Sequence, residues 1–207
     1  MTSHAGSNIL LRSVNVGAIS EVEWRGDIVR TGIWKRPVDG PVAVRGVNLA
    51  GDDQADRRVH GGPDKAVYAY AVEDYAWWAE REAFTVYPGL FGENLTTEGI
   101  DLSAARAGER WRVGTTLLEV AQPRLPCFKL GIRIGDSTFL KRFQAAHHPG
   151  AYLRIIEDGL VAAGDVVQIV SRPEHEVTMA LMAASITDRS KRAAVLGAPQ
   201  IPEHWRE

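Results

Sequence analysis

The β-forming residues of this chain lie in short runs, and most of these runs begin or end near a glycine or a proline. Runs of this length and composition predict strands. The segments beginning at Gly108 and Gly164 precede two of the runs and are typical of hairpin turns. The pattern predicts a mostly β body with strands within residues 9–19, 32–38, 41–47, 67–70, 117–120, 151–156 and 166–170.

Helical patterns are few and short, and they become frequent only after Pro173. Residues 73–84 place Tyr75, Trp78 and Ala79 on one face, which predicts an amphipathic helix, and residues 138–146 predict another. Behind Pro173, residues 177–186 and a second stretch that ends at 196 predict two helices, with a shorter turn at 202–205. We therefore expect a body at residues 1–173 and a helical tail at 174–207.

Length and composition place limits on the setting of the protein. The chain has 207 residues and one cysteine, so it can bury a substantial core without any internal disulfide. Its net charge of −2 argues against general nucleic-acid binding. The polar N-terminus does not resemble a signal peptide, and no apolar run is long enough for a membrane span. We expect a cytoplasmic protein without a membrane partner.

The single cysteine, Cys127, lies in a segment that favours chemistry. Arg124 and Lys129 flank it and would stabilise a thiolate, the form that binds metals and attacks carbon. Pro123 and Pro126 stiffen the backbone around it, which suits a single metal ligand better than a mobile nucleophile. The alternative is a small buried hydrophobic residue without a chemical role.

Two cation-bearing segments stand earlier in the chain. Residues 32–38 hold Lys35 and Arg36 beside an aromatic residue, and a pair of solvated cations would explain them equally well. Residues 51–65 form a long polar stretch in which Gly61 and Gly62 allow a close approach of the backbone to an anion. Its other candidates are Arg57, Arg58, His60, Asp64 and Lys65. A surface turn with balanced charges is the alternative.

A third segment, at residues 91–99, places a Glu–Asn pair between two glycines. Asn94 can both donate and accept hydrogen bonds, which suits a heterocyclic ligand, and Glu93 is a titratable neighbour. An Asx-type turn between two elements would use the same residues.

Taken together and in this order, these segments resemble the MOSC family, named for the C-terminal domain of molybdenum-cofactor sulfurases, and in particular its bacterial YiiM-type branch. The resemblance extends over most of the chain from about residue 13. It rests on the ordered combination of residues 35–38, 51–65, 91–97, 122–130, 152–154 and 164–165. The tail from residue 174 resembles the three-helix module of such proteins but is shorter, so its last helix is expected to be truncated.

The resemblance implies a β-barrel-like fold with peripheral helices and a molybdopterin-type molybdenum cofactor whose metal is bound by Cys127. It also implies reduction of N-hydroxylated compounds, such as hydroxylaminopurines, to amines, as in the similar mitochondrial amidoxime-reducing proteins. The chain has no iron–sulfur motif and no flavin fingerprint. Electrons are therefore expected from a separate reductase.

Roles for the other candidates follow from the needs of such a cofactor. Asn94 is expected to hydrogen-bond the pterin or a metal-bound oxygen, and His60 to deliver a proton, because a pKa of about 6.5 suits that task. Glu93 and Asp64 are competing proton donors or orienting groups. The cations expected to face the anionic groups of the cofactor are Lys35, Arg36, Arg57, Arg58, Arg124 and Lys129.

Two other functions remain open. A hydrolase or transferase could use Cys127 as nucleophile and His60 as base, although the segment lacks the strand-to-helix turn that presents many nucleophiles. A non-enzymatic carrier of the cofactor or its sulfur would use the same thiol and cations without turnover. Either a monomer or a homodimer is compatible with the sequence.

Overall fold

The computed structural model describes residues 8–56 and 61–207, and this part of the chain is mostly β. Its strands are β1 (Leu10–Val16), β2 (Ser20–Trp24), β3 (Asp27–Thr31), β4 (Arg36–Pro37), β5 (Val42–Arg45), β6 (Asn48–Leu49), β7 (Val67–Ala71), β8 (Leu95–Glu98), β9 (Arg110–Val113), β10 (Thr116–Gln122), β11 (Ala151–Glu157), β12 (Gly159–Val161) and β13 (Val167–Ser171).

Eight of these strands form one curled sheet in the order β13-β9-β10-β11-β7-β8-β1-β4. Every pair in it is antiparallel except β7 and β8, which run parallel. A three-stranded sheet, β12-β5-β6, and the β2–β3 hairpin complete the strands. The mostly β fold with peripheral helices that the sequence predicts is therefore confirmed.

The described helices are short and lie around the sheet. They are α1 (Val72–Ala79), α2 (Phe128–Ile134), α3 (Phe139–Ala146), α4 (Met179–Ser185) and α5 (Arg192–Leu196), with 3₁₀ turns at Pro63–Lys65, Arg189–Lys191 and Glu203–Trp205. Among them none has the length and apolar character that crossing a membrane requires. Helix α1 connects the parallel strands β7 and β8.

Helix α1 ends five residues earlier than the predicted 73–84 helix. The carbonyl of Trp78 accepts hydrogen bonds from the backbone N–H groups of both Arg81 and Glu82, each at 2.9 Å, which closes the last turn. The aromatic stripe on its face is core packing, as expected: Trp78 stacks on Phe143, with ring centroids 5.9 Å apart and planes 3° apart.

Among the elements that the sequence did not predict are the β2–β3 hairpin and helix α2. The β2–β3 hairpin turns at Arg25 and Gly26, whose φ angles of 55° and 86° fit the two-residue turn that a twisted hairpin prefers. Helix α2 starts directly after Cys127 and ends at Gly135, which has a left-handed φ of 79°. Gly131 disfavours a helix on propensity alone, but buried Leu130 anchors it to the core.

The helical tail forms as predicted and packs into the body. The hydroxyl of Thr178 caps α4 by accepting from Leu181 N at 3.1 Å, and Asp188 caps the following turn by accepting from Ser190 N at 3.0 Å. The third piece is a single turn, Glu203–Trp205, as the truncated pattern indicates. Tail residues share one hydrophobic core with the sheet, among them Met179, Met182, Val195, Ile201 and Trp205. The domain boundary at residue 173 remains a prediction.

Candidate functional site

Cys127 lies on a short connection between a strand and a helix. Strand β10 ends at Gln122, residues 123–127 form the connection, and Cys127 is the extended residue (φ −122°, ψ 165°) that precedes α2. The sequence did not predict the helix that follows Cys127. The connection is five residues long and is not the sharp elbow of a nucleophile turn.

The thiol of Cys127 is partly exposed and lines a cleft together with several of the predicted residues. The predicted candidates in the lining are Lys35, Asn94, Arg124, Cys127 and Lys129. Residues from the first, third and fourth of the candidate segments thus meet in one cleft, although up to 94 positions separate them in the chain.

Arg124 is the most unusual cation of this cleft. It is only 6% exposed, it donates to the carbonyl of Phe91 at 2.6 Å, and its guanidinium lies 5.1 Å from the ring centre of Tyr68. No carboxylate of the described residues forms an ion pair with it. A buried charge without a counter-ion is costly, so this position favours a nearby anion such as a thiolate or a phosphate.

Lys35 is buried with its partner Asp52 behind the cleft surface. Burial lowers the pKa of Lys35, and the adjacent Asp52 carboxylate opposes that shift. Asp52 also accepts from Gly17 N at 2.8 Å, which fixes its position. Because its charge is balanced internally, Lys35 contributes less to the field at the thiol than an unpaired cation would.

Asn94 lines the cleft, but its amide is engaged by the protein. Its Nδ2 donates to Asp52 at 2.9 Å and to the carbonyl of Asn15 at 3.3 Å, and its Oδ1 accepts from Tyr68 N at 3.1 Å. These bonds tie β1, β7 and the start of β8 together. The predicted contact with a pterin would therefore compete with structural hydrogen bonds.

Glu93 does not line the cleft and is completely buried. Its carboxylate accepts from the Tyr75 hydroxyl, from Gly89 N, from Phe91 N at 3.1 Å and from the Thr96 hydroxyl at 3.0 Å. Burial raises its pKa, and these donors oppose the shift. Glu93 thus shapes the loop at residues 89–93, which carries the backbone partner of Arg124, and it does not reach a ligand.

The remaining candidates are spread more widely. Asp64 is engaged by Arg154 at 2.5 Å and does not line the cleft. Arg36 is exposed on β4, also away from the lining. The predicted residues Arg57, Arg58 and His60 fall outside the described residues.

Lys65, a candidate cation at the end of the 51–65 segment, also lines the cleft, and burial lowers its pKa while Asp64 and Cys127 oppose the shift. The cleft contains two further residues that the sequence did not single out as ligands. Tyr68 and Tyr152 are paired across β7 and β11, with ring centres 5.1 Å apart. Their strands were predicted, but the pairing of the strands was not, so nothing local indicated a shared aromatic wall.

Comparisons with known proteins identify the family of this chain. The family model described as MOSC domain matches residues 56–168. YiiM of Escherichia coli is 38% identical over 68% of this chain and 64% of its own length. A protein named Reductase from Gibberella moniliformis is 32% identical over 79% of this chain, which spans only 30% of that longer protein.

The fold comparison gives the same result. The crystal structure of YiiM from Geobacillus stearothermophilus superposes with a TM-score of 0.78 and 27% identity, and the match covers 96% of this chain and 95% of that one. The matched family region contains Cys127 and most of the cleft residues. The chain is a member of the MOSC domain family, with YiiM proteins among its relatives.

Proposed function

We propose that this protein binds a molybdenum cofactor of the molybdopterin type through Cys127 and reduces N-hydroxylated compounds to amines. The observation that carries the proposal is the partly exposed thiol beside a buried guanidinium, Arg124, that has no carboxylate partner in the described part of the chain. Such a pair favours a thiolate ligand and an anionic group next to it.

The donor set fits a metal that arrives with its own organic ligands. Among residues 8–56 and 61–207 no group of three or more His, Cys, Asp or Glu side chains could hold a metal ion. A protein-only metal site needs three or four such ligands. One soft thiolate is sufficient for a metal whose other ligands are a pterin dithiolene and oxygen.

The charges of the cleft fit the anionic part of the same cofactor. Among the residues that the structure describes, four cationic side chains line it, and Asp53 is the one acidic residue in the lining. Lys129 forms no ion pair with any residue that the structure describes, so it is the cation best suited to take a phosphate. The four are Lys35, Lys65, Arg124 and Lys129.

The overall reaction adds two electrons and two protons to R–NHOH and gives R–NH₂ and water. The bound cofactor would supply the two-electron chemistry. The chain would contribute the thiolate of Cys127, the cations that stabilise it, and the aromatic wall of Tyr68 and Tyr152 that limits water. His60 remains the predicted proton donor.

Support for the redox class comes from the relative named Reductase, which the chain matches over 30% of its length. Most of that protein lies outside the match. A longer relative of this kind is consistent with our expectation that electrons reach the cleft from another protein or domain.

A specific observation favours a second candidate, a thiol hydrolase or transferase. Cys127 shares a second cleft with His204, whose Nε2 lies 3.0 Å from the amide oxygen of Gln122. A cysteine, a histidine and an orienting amide are the parts that such enzymes use. In this version of the hypothesis His204 replaces His60.

Turnover by the loaded protein distinguishes these functions. Protein produced in a host that makes the cofactor is supplied with a chemical reductant and an N-hydroxylated purine, and amine formation is followed by chromatography. We expect amine formation from wild type and none from Cys127→Ser. Metal-loaded protein without turnover would indicate a carrier, and a stable acyl adduct on Cys127 in metal-free protein would indicate the thiol enzyme.

A further inference from the structure

A second cleft meets the first one at Cys127, and its far wall is made by the helical tail. Cys127, Leu125, Lys65 and Tyr152 line both clefts. The tail contributes four residues to the second, namely Ile186, Arg192, His204 and Trp205. We call this second space the tail cleft. The thiol therefore stands where two differently built spaces join.

The two spaces differ in size and character. The tail cleft has a cavity volume of about 410 Å³, against about 90 Å³ for the cation-lined cleft. A volume of several hundred Å³ matches the range of small-molecule sites. Two of its lining residues, Leu125 and Ile186, are large apolar side chains left 43% and 47% exposed. Exposed apolar side chains that converge on one cavity indicate a surface that an apolar ligand covers.

A hydrogen-bond network fixes the chemistry of the polar group in this wall. The indole N–H of Trp205 can only donate, and it donates to Gln122 Oε1 at 2.9 Å. The other end of that amide, Nε2, donates to the carbonyl of Asp64 at 3.1 Å. The orientation of Gln122 is thus determined by two independent partners.

This orientation determines the tautomer of His204. Its Nε2 lies 3.0 Å from the same Gln122 Oε1, which accepts, so Nε2 carries the proton. In neutral His204 the other nitrogen, Nδ1, is then an acceptor, and no described residue donates to it. Partial burial and the nearby Lys65 lower the pKa of His204, which favours the neutral ring. The wall therefore offers a ring acceptor beside Trp205 and Ile186.

The tail holds this wall in place. Trp205 is only 7% exposed and belongs to the main hydrophobic core. Arg154 donates to the carbonyl of Gln200 at 3.0 Å and also pairs with Asp64 and Glu119, which joins the tail to β10 and β11. A rigid wall opposite the thiol can select a ligand by shape.

Resting on the proposed function, we infer that the tail cleft is the substrate side of the site, where Ile186 and His204 position an aromatic N-hydroxylated compound. The aromatic part lies against Tyr152, Leu125 and Ile186, and an O–H or N–H of the hydroxylamino group donates to His204 Nδ1. The cation-lined cleft then remains for the anionic cofactor, and the N–O bond is brought to the junction beside Cys127.

Two variants separate shape from hydrogen bonding. Ile186→Ala removes apolar wall, with Ile156→Ala as the matched control, because Ile156 is similarly exposed (41%) and does not line the cleft. His204→Gln retains an N–H that can reach Gln122 and replaces the ring acceptor Nδ1 by an amide oxygen in a different position. Neither change touches Cys127 or the cations of the first cleft.

The readouts are molybdenum per chain and the KM values for an N-hydroxylated purine and for N-methylhydroxylamine, which has no aromatic part. We expect both variants to keep the metal content of wild type and to raise the KM for the purine about five- to tenfold, the range that the loss of one such contact gives. The KM for N-methylhydroxylamine should change for His204→Gln and stay constant for Ile186→Ala.

The outcomes distinguish failure of this inference from failure of the proposed function. If wild type reduces both compounds and the tail variants leave both KM values unchanged, the inference that the tail cleft binds the substrate is overturned. The proposed reductase function is then unaffected. Metal-loaded wild type that reduces neither compound would overturn the proposed function, and the inference with it. Equal KM increases for Ile186→Ala and Ile156→Ala would also overturn the inference, because the effect would then be general.

Discussion

The two clefts that meet at Cys127 are stabilised in opposite ways. On the cation-lined side, the charges are held by the protein itself: Lys35 pairs with buried Asp52, and Arg124 bonds to a backbone carbonyl and stacks on an aromatic ring. In the tail cleft, apolar side chains remain exposed and no described residue donates to Nδ1 of His204. In our proposal the first side holds a fixed anionic group and the second admits an exchangeable aromatic one.

The largest expected effect comes from breaking the internal charge balance of the first side. Asp52→Asn leaves Lys35 buried without its counter-ion, and loss of one partner of a buried pair costs about 3–5 kcal/mol. Denaturant unfolding should show this loss of stability. The control is Glu98→Gln, which removes a partner of the exposed Arg12–Glu98 pair and should cost less than about 1 kcal/mol. A similar loss of unfolding free energy in both variants would contradict the distinction between the buried ion pair and the exposed one.

An intermediate effect is expected when a cation is removed from the first cleft, and no effect when one is removed from the tail cleft. Lys129→Ala deletes a charged donor from the first cleft, and a charged hydrogen bond contributes about 1.5–3 kcal/mol, or roughly 10- to 100-fold in affinity. Calorimetric titration of the metal-free protein with pyrophosphate should show this weakening. Arg192→Ala, the matched change in the tail cleft, should leave pyrophosphate binding unchanged. The assignment of the clefts would be reversed if Arg192→Ala had the larger effect.

The smallest effect concerns the pH dependence of His204. Its pKa lies below the ordinary 6.5 because of burial and Lys65, with Asp64 and Glu207 opposing the shift. A lowered pKa means that the ring is neutral at pH 7 and gains a proton only below pH 6.5, where its acceptor is lost. The KM for an aromatic N-hydroxylated substrate should therefore rise below pH 6.5 in wild type and be flat in His204→Gln. A parallel rise in both proteins would assign the titration to another group.

Protonation of His204 also lowers the stability of the folded protein. For a base whose folded pKa is lowered, the unfolded chain binds the proton more readily, so the free energy of unfolding decreases as the pH falls below 6.5. His204→Gln removes this contribution. A comparison of the two proteins by thermal unfolding at pH 7.5 and pH 5.5 gives a check that does not depend on activity.

Local signals in the sequence predicted most of the elements, and long-range pairing decided the site. The short β runs depend on neighbouring residues, and the mostly β fold that they predict is confirmed. The hydrogen-bonded residues Asn94 and Asp52 are 42 positions apart in the sequence, and Gln122 and Trp205 are 83 positions apart. No periodicity in the sequence could indicate these contacts.

The two acidic candidates illustrate the same limit. Glu93 lies next to a cleft residue in the sequence, but alternation along the chain turns its side chain into the core, where Tyr75 and backbone groups use it fully. Asp64 lies in the segment that carries cleft residues, but it is engaged by Arg154 from β11. Residue type predicted titratable groups near the site, and only the fold could show which of them face a ligand.

The account depends most directly on the thiol of Cys127 as the ligand of the metal. The decisive measurement is molybdenum per chain, by mass spectrometry, in wild type, Cys127→Ser and Ile186→Ala purified from a host whose cofactor synthesis is verified with another molybdenum enzyme. We predict near-stoichiometric metal in wild type and Ile186→Ala and loss of metal in Cys127→Ser. Equal metal content in wild type and Cys127→Ser, or none in any of the three proteins, would contradict it.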